Sequence, residues 1–521
     1  MLMPVDMRDW LPPDHLVWFV VETVDALDCT LLEQTRRRGG AGAPGYDPRM
    51  LFALLVYAYS QGVRSSREIE RRCVTDVAFR VLCAQGGPDH TTIARFRTVS
   101  GRAFVDLFTQ VLMVAARAGL GRFGTVAIDG TKIPANASID ANRGAEWFRH
   151  YVGEVVAEVV AESERVDAEQ DASEKAADDE LRADRVPIEL RDRTRRVERI
   201  RAAASELATA QQRLTRADRE RAAGAAERLT RSQAGLPVVG RIPEGPHRLA
   251  EAQAHLARES TAHQAKIDRY AALVAAGCKP MGRPPVPMEA SSRVQRAKRV
   301  VEAAEAAAAV QAERSLASSR ERKPLPNVVA NTTDPQSRIM PTRKGFLQGY
   351  NVQVAVTGDQ LIVAVDVGQA TNDQASFVPM MQAAMASADR MHAITGHEDH
   401  VIGIVLADAG YDSDRNVTAP GPDRLIASGK SRDHARALSE SPAQGPPPGG
   451  ASPRQAMAHR LRTPEGHRQY KRRGATVEPG IANLKKLIDR FSARGLAHAG
   501  SEIHLAATAF NLRKIHHATA Y

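Results

Sequence analysis

The chain has 521 residues, too many for one compact core, so two or three units are expected. It carries 71 Lys and Arg against 61 Asp and Glu, a net charge of +10 with a mean hydropathy of −0.34, which favours polyanionic partners. Four widely spaced cysteines (Cys29, Cys73, Cys83, Cys278), with no CxxC and no paired His cluster of metal-ligand spacing, exclude a thiolate metal site and a disulfide scaffold, and no apolar run has membrane-spanning length.

The first ten residues lack a basic stretch followed by an apolar one, so no signal peptide is expected. Up to about residue 120 the pattern is helical. Asp47-Pro48 predicts an N-cap and first-turn proline opening an apolar helix that stops at Gly62. In the following segment Ser65 or Ser66 supplies a cap, and Ile69, Cys73, Val77 and Val81 recur every four residues as the apolar face of one helix. Pro88-Asp89-His90 opens another. The arginine-bearing residues 91–97 fit either a helix-turn-helix or a plain helical bundle with solvated arginines.

From Thr125 the period changes. Thr125-Val-Ala-Ile-Asp129-Gly130 reads as a short strand ended by Asp-Gly, delivering a carboxylate to a sheet edge. Residues 150–320 are rich in Ala, Arg and Glu with few aromatics, which predicts long helices paired within the chain as coiled-coil hairpins. Between them Gly282-Arg283-Pro284 matches the core of a minor-groove hook, or is simply a loop joining two helices.

Strand signals then return. Residues 350–356 and 361–367 form a hairpin across Gly358-Asp359, Asn372-Asp373 caps a helix, and the apolar run 401–407 suits a buried central strand ending at Asp408. The Pro/Gly/Ser-rich residues 441–455 read as a flexible loop. From Glu478, placed at a helix start by Pro479, the chain is again helical.

Asp129, Asp408 and Glu478 together form the pattern a carboxylate-held Mg²⁺ site needs, because Mg²⁺ binds through a few carboxylates and leaves positions for phosphate and water. Each also has a plain alternative, two as turn residues and Glu478 as a surface ion-pair member. The setting of Glu478 favours the site: residues 454–494 hold 11 Lys and Arg against 3 Asp and Glu, a local +8, which suits a phosphate backbone.

Tyr470, Arg473, Glu478 and Lys485 resemble the Tyr–Arg–Glu–Lys signature of DDE transposases of bacterial insertion sequences. The family form leaves two, three and six residues between them; here the gaps are two, four and six, so Arg473 is displaced by one. Ala127-Ile-Asp129-Gly-Thr-Lys-Ile133 and Leu406-Ala-Asp408-Ala-Gly-Tyr411 are similar to the two aspartate strands. GVRSSREIERRC and PDHTTIARFR are similar to the helical domain that precedes the core in one such group, while Thr333 to Arg338 and Gly345 to Asn351 resemble the exit from its helical insert.

The resemblance implies an α/β fold: a ribonuclease-H-like core with a five-stranded mixed sheet, interrupted by a long helical insert and preceded by an all-helical N-terminal domain. The expected divisions are a DNA-binding domain over 1–120, the first part of the core over 121–150, the insert over 151–325, and the rest of the core over 326–521 with a loop at 436–456. It further implies Asp129, Asp408 and Glu478 as catalytic metal ligands for Mg²⁺, with Mn²⁺ substituting, and Tyr470, Arg473, Lys485 and Lys486 as DNA contacts. The expected partners are double-stranded DNA, as terminal inverted repeats and target, and further copies of the chain in a dimer or larger synaptic complex. The expected place is the cytoplasm, at the nucleoid. The competing reading is a transposase-derived DNA-binding protein with an inactive core.

Overall fold

The computed structural model describes residues 6–36, 45–150, 193–236, 246–278, 283–321, 328–342, 345–429, 436 and 439–519. By contacts it divides into two compact units, the first formed by residues 1–143, 180–203 and 330–521, the second by 144–179 and 204–329.

In the first unit the N-terminal helices are α1 (Leu16–Ala26), α2 (Thr30–Glu33), α3 (Pro48–Ser60), α4 (Ser66–Thr75), α5 (Val77–Leu82), α6 (His90–Val99) and α7 (Gly101–Arg117). Local chemistry explains their boundaries. The Asp47 side chain accepts from the Arg49 N–H and Pro48 fills the first turn of α3, while Gly62 takes the left-handed φ of 73° just beyond its end. Ser65 caps α4. The single helix expected over residues 66–82 is broken at Asp76, whose carboxylate accepts from the N–H groups of Ala78 and Phe79 and so starts α5. Val74 is consequently exposed.

Eight strands follow: β1 (Thr125–Pro134), β2 (Asn142–Arg143), β3 (Ala330–Asn331), β4 (Arg338–Thr342), β5 (Gly345–Thr357), β6 (Ile362–Gly368), β7 (Ile404–Ala407) and β8 (Asp423–Ile426). Six of them form one mixed sheet in the order β4-β5-β1-β7-β8, with β6 also paired to β5; β2 and β3 pair separately. β1 is antiparallel to β5 and parallel to β7, and β7 is parallel to β8. The sheet thus has one strand more than the five expected, because the long β5 pairs with β4 through its first residues and with β6 through the rest. Continuous burial of Val405, Leu406 and Ala407 reflects a strand flanked on both sides.

The helices Phe377–Thr395, Pro464–Leu487 and Leu496–Thr519 pack on this sheet, the last also against α3 and α7. No single described helix is long and apolar enough to cross a membrane. Residues 441–452 run as turns and bends into a helix at Pro453–Leu461, opened by a capping box of Ser452 and Gln455; residues 437 and 438 of the expected loop lie outside the described residues.

The N-terminal helices and the helix Leu496–Thr519 share one buried polar network. Glu502, 1% exposed, accepts from the Tyr59 hydroxyl (2.8 Å), the Ser492 N–H (2.8 Å) and the Ser492 hydroxyl (2.8 Å). Arg97, 7% exposed, donates to Ser492 Oγ (2.7 Å) and to the Arg64 carbonyl (2.8 Å), with its guanidinium over the Tyr59 ring. Of the two readings for residues 91–97, this one arginine is therefore a core member and not a surface cation for DNA.

The Ala/Arg/Glu-rich helices run Arg193–Gln233, Pro246–Ala275 and Ser292–Glu321, and from Ala204 onward they belong to the second unit. Within it Arg228 pairs with Glu251 at 2.7 Å, Ala252 and Ala297 are buried, and the latter two helices pack together. Small side chains at the contact let helices approach without aromatics, which accounts for the low aromatic content. Residues 151–192 of the expected insert and Gly282 of the expected hook lie outside the described residues.

Candidate carboxylate site on the central strands

Asp129 does not end a strand. β1 continues through Gly130 to Pro134 because Thr131 and Ile133 supply further inward positions and the whole run pairs with β5. What stops at Asp129 is the pairing with β7, whose last partners are Ile128 and Ala407. The next residue on each strand is an aspartate, so Asp129 and Asp408 stand side by side where the two parallel strands part. The plain reading of Asp129 as a turn residue is thereby removed. Asp408 does both jobs: its Oδ1 accepts the Gly410 N–H at 2.9 Å and caps a short 3₁₀ turn.

The pair is electrostatically tense. Burial and then the charge of Asp129 push the Asp408 carboxyl above its usual range, with the Gly410 N–H and Arg473 pulling the other way. Arg473 Nη1 donates to Asp129 Oδ2 at 2.9 Å, with both side chains under 20% exposed (17% and 19%). Burial acts against the Arg473 charge, but Asp129 and Asp408 outweigh it and hold the guanidinium above its usual range. Tyr470, one turn earlier and partly buried, engages Arg473, and burial raises its hydroxyl pKa.

Glu478 is placed differently. Its helix starts at Pro464, capped by the Thr463 hydroxyl, and runs through Pro479 to Leu487, so Glu478 lies inside the helix and not at its start. The hydrogen bond that Pro479 forgoes is to the carbonyl of Ala475, an exposed residue, which makes the interior proline tolerable. Glu478 is exposed, and one carboxylate oxygen lies 3.3 Å from where a Cβ on Gly474 would stand. It does not figure among the groups acting on Asp408.

Lys485, two turns beyond Glu478 on the same helical face, is exposed as a residue, yet partial burial of its ammonium lowers its pKa, opposed by the charge of Asp129, so it lies within that carboxylate's field. Lys486 points elsewhere and lines a 450 Å³ groove with Arg513, Lys514 and His517. Part of the local basic excess is internal: Arg454 pairs with Asp412 and Arg460 with Asp423. Lys471 and Arg472 remain exposed.

Two neighbouring carboxylates suit an oxygen-preferring divalent cation as partial ligands, and their mutual repulsion is the kind a cation relieves. Among the described residues no group of three or more His, Cys, Asp or Glu is arranged to hold a metal. The structure therefore brings together Asp129, Asp408, Arg473 and Tyr470, keeps Lys485 within reach of Asp129, and leaves Glu478 and Lys486 outside.

One residue of this region escaped the sequence reading. Asp373 does not cap the helix that follows; the helix Phe377–Thr395 begins without a side-chain cap. Instead its Oδ1 accepts from Lys132 Nζ (3.1 Å), Asn351 Nδ2 (2.7 Å) and Gln353 Nε2 (2.8 Å). The signal available in sequence was the polar Asn351 and Gln353 inside an otherwise apolar strand.

An α/β chain with paired aspartates on adjacent central strands and an arginine from a basic helix between them is the class that fold and site define. Residues 5–99 match the family Transposase domain (DUF772), and residues 448–516 match the family Transposase DDE domain. The first match spans α1 to α6; the second contains Tyr470, Arg473, Glu478 and Lys485, and neither Asp129 nor Asp408. Comparisons with curated proteins and with solved structures gave no match. The two family matches indicate a transposase of the DDE, insertion-sequence kind.

Proposed function

We propose that this chain is a metal-dependent DNA transposase with a ribonuclease-H-like core, which binds the inverted-repeat ends of its element, hydrolyses a phosphodiester to free a 3′-OH, and joins that end to target DNA. The observation carrying this reading is the side-by-side placement of Asp129 and Asp408 beneath a helix that lies in the matched DDE segment. Asp129 and Asp408 would hold the ion, Mg²⁺ or Mn²⁺, and the chemistry it would supply there is Lewis-acid stabilisation of the charge that develops in phosphodiester cleavage. Glu478 is the third carboxylate, reached by rotation of its own side chain: it shares a helical face with Lys485, which already lies in the field of Asp129.

Arg473 and Tyr470 hold Asp129 in place and, with Lys485, receive the phosphate backbone next to the scissile bond. These cations position without reading sequence. The N-terminal helices and the second unit supply end recognition, and two copies hold the two ends in one synaptic complex at the nucleoid. Lys485→Ala is expected to weaken duplex binding equally for all sequences and to reduce the salt slope by about one, measured by fluorescence anisotropy over a salt series; an unchanged slope removes Lys485 from the interface.

The deciding experiment incubates purified full chain with DNA bearing the ends of its own element, in Mg²⁺ or Mn²⁺. Cleavage at the ends, lost in Asp129→Ala, is the expected outcome. Protein that shifts these ends on a gel but never nicks them with either ion would instead be a DNA-binding derivative of a transposase, and undiminished cleavage by Asp129→Ala would remove the site.

A further inference from the structure

We propose that Asp373 is a positioning residue for the paired aspartates, holding them from the opposite face of the sheet; this rests on the transposase reading above. Side chains alternate along a strand, so Asp129 faces the helix Pro464–Leu487 through Arg473 while Gly130 and Lys132 face the other way. Their register partners on β5 are Gln353 and Asn351. Asp373, arriving from the segment after β6, fits into that opposite face and accepts from Lys132, Asn351 and Gln353 through a single oxygen, Oδ1.

The backbone is cleared for this approach at Gly130 of β1, and Asp373 also comes into contact with Gly410 in the turn beyond β7. A Cβ on Gly130, the neighbour of Asp129, would stand 2.5 Å from Asp373 Oδ1 and 2.7 Å from Gln353 Nε2. A Cβ on Gly410, two residues past Asp408, would stand 3.0 Å from Asp408 Oδ1 and 3.4 Å from Asp373 Oδ2. Asp373 therefore lies against the residues next to both aspartates. Gln353 extends the link: its Oε1 accepts the hydroxyl of Tyr411, a fully buried side chain on the turn that Asp408 caps. One carboxylate thus joins β1, β5 and the Asp408 turn, and fixes the separation of two groups whose like charges would otherwise drive them apart. Supporting groups of this kind typically change metal affinity or activity by about 10–100-fold.

The test compares wild type with Asp373→Asn, which is close in shape but leaves Lys132 without its counter-charge, and with Lys132→Met as a second, independent removal of the same ion pair. Three quantities are measured on the full chain: affinity for terminal-repeat DNA, the Mn²⁺ concentration giving half-maximal cleavage, and hydrogen exchange of peptides covering residues 404–412. The expected result is unchanged DNA affinity, a Mn²⁺ midpoint raised about tenfold or more, and faster exchange confined to 404–412. A Mn²⁺ midpoint and exchange equal to wild type in both variants overturn the proposal. If the wild type itself cleaves nothing with either ion, the transposase reading fails on its own, and exchange alone decides: faster exchange in 404–412 upholds the positioning role, unchanged exchange discards it.

Discussion

Asp408→Asn is expected to lose metal-dependent cleavage by about 10²–10³-fold or more while melting at a higher temperature than the wild type near neutral pH. The two effects have one cause. Asp408 is placed beside Asp129 and partly buried, so its carboxyl holds a proton to higher pH in the folded chain than in the unfolded one. A raised acid pKa contributes stability that is fully present below the unfolded value and is lost as pH rises through the folded value. At neutral pH the ionised group therefore works against folding. Asparagine keeps the acceptor for the Gly410 N–H and removes the repulsion, so the gain in melting temperature should shrink as the buffer is made acidic. Melting curves in neutral and acidic buffer, run beside the cleavage assay, check both halves. A variant that is inactive and also less stable at neutral pH would mean that Asp408 serves the fold and that its charge is not a functional strain.

The second large effect is expected on stability. Glu502→Ala should cost about 2–4 kcal/mol, because it leaves the Tyr59 hydroxyl and the Ser492 N–H and hydroxyl without their buried acceptor. Glu502→Gln keeps an acceptor for Tyr59 and should lose far less. Chemical denaturation of the two variants, followed by far-ultraviolet dichroism, distinguishes them. Equal stability of Glu502→Ala and wild type would show that the network does not join the N-terminal helices to the helix Leu496–Thr519 energetically. The same loss should weaken cleavage indirectly, since Ser492 follows closely on the helix that carries Arg473.

Much of this molecule was legible in the sequence where local chemistry decides. The Asp47-Pro48 start of α3, the Ser65 cap, the hairpin of β5 and β6 and the apolar β7 ending at Asp408 all follow from side chains bonding or burying within a few residues of one another. Errors arise where distant partners decide. Asp-Gly at 129–130 reads as a stop, but β5 pairs beyond it and carries the strand on for four more residues. Pro479 reads as a helix start, yet the cap at Thr463 lies sixteen residues upstream and the proline sits where its missing donor costs little. Arg97 reads as a surface cation, although its partners Ser492 and the Tyr59 ring come from opposite ends of the chain. Asp373 reads as a cap because Asn-Asp before an apolar run usually is one; only the sheet register shows that Lys132, Asn351 and Gln353 reach it first. The site is visible in the sequence as residue types and not as geometry: the side-by-side placement of Asp129 and Asp408 and the pairing of Arg473 with Asp129 come from strand register and helix packing, and nothing in the sequence tells that Lys486 lines a different groove from Lys485.

The helix Leu496–Thr519 lies against α3, α7 and β6 and carries Glu502, the acceptor that Tyr59 and Ser492 require. It also comes after every other described element in chain order. Contacts between such distant segments form only after a large loop-closure cost has been met, so the first unit cannot complete its core while this helix is still inside the ribosome. Nascent chains would hold both aspartate strands long before they hold a finished core. Completion of the first unit is thereby tied to synthesis of residues 496–519, and a chain cut short before residue 496 should be soft and protease-sensitive over its whole first unit, including the helices α1 to α7.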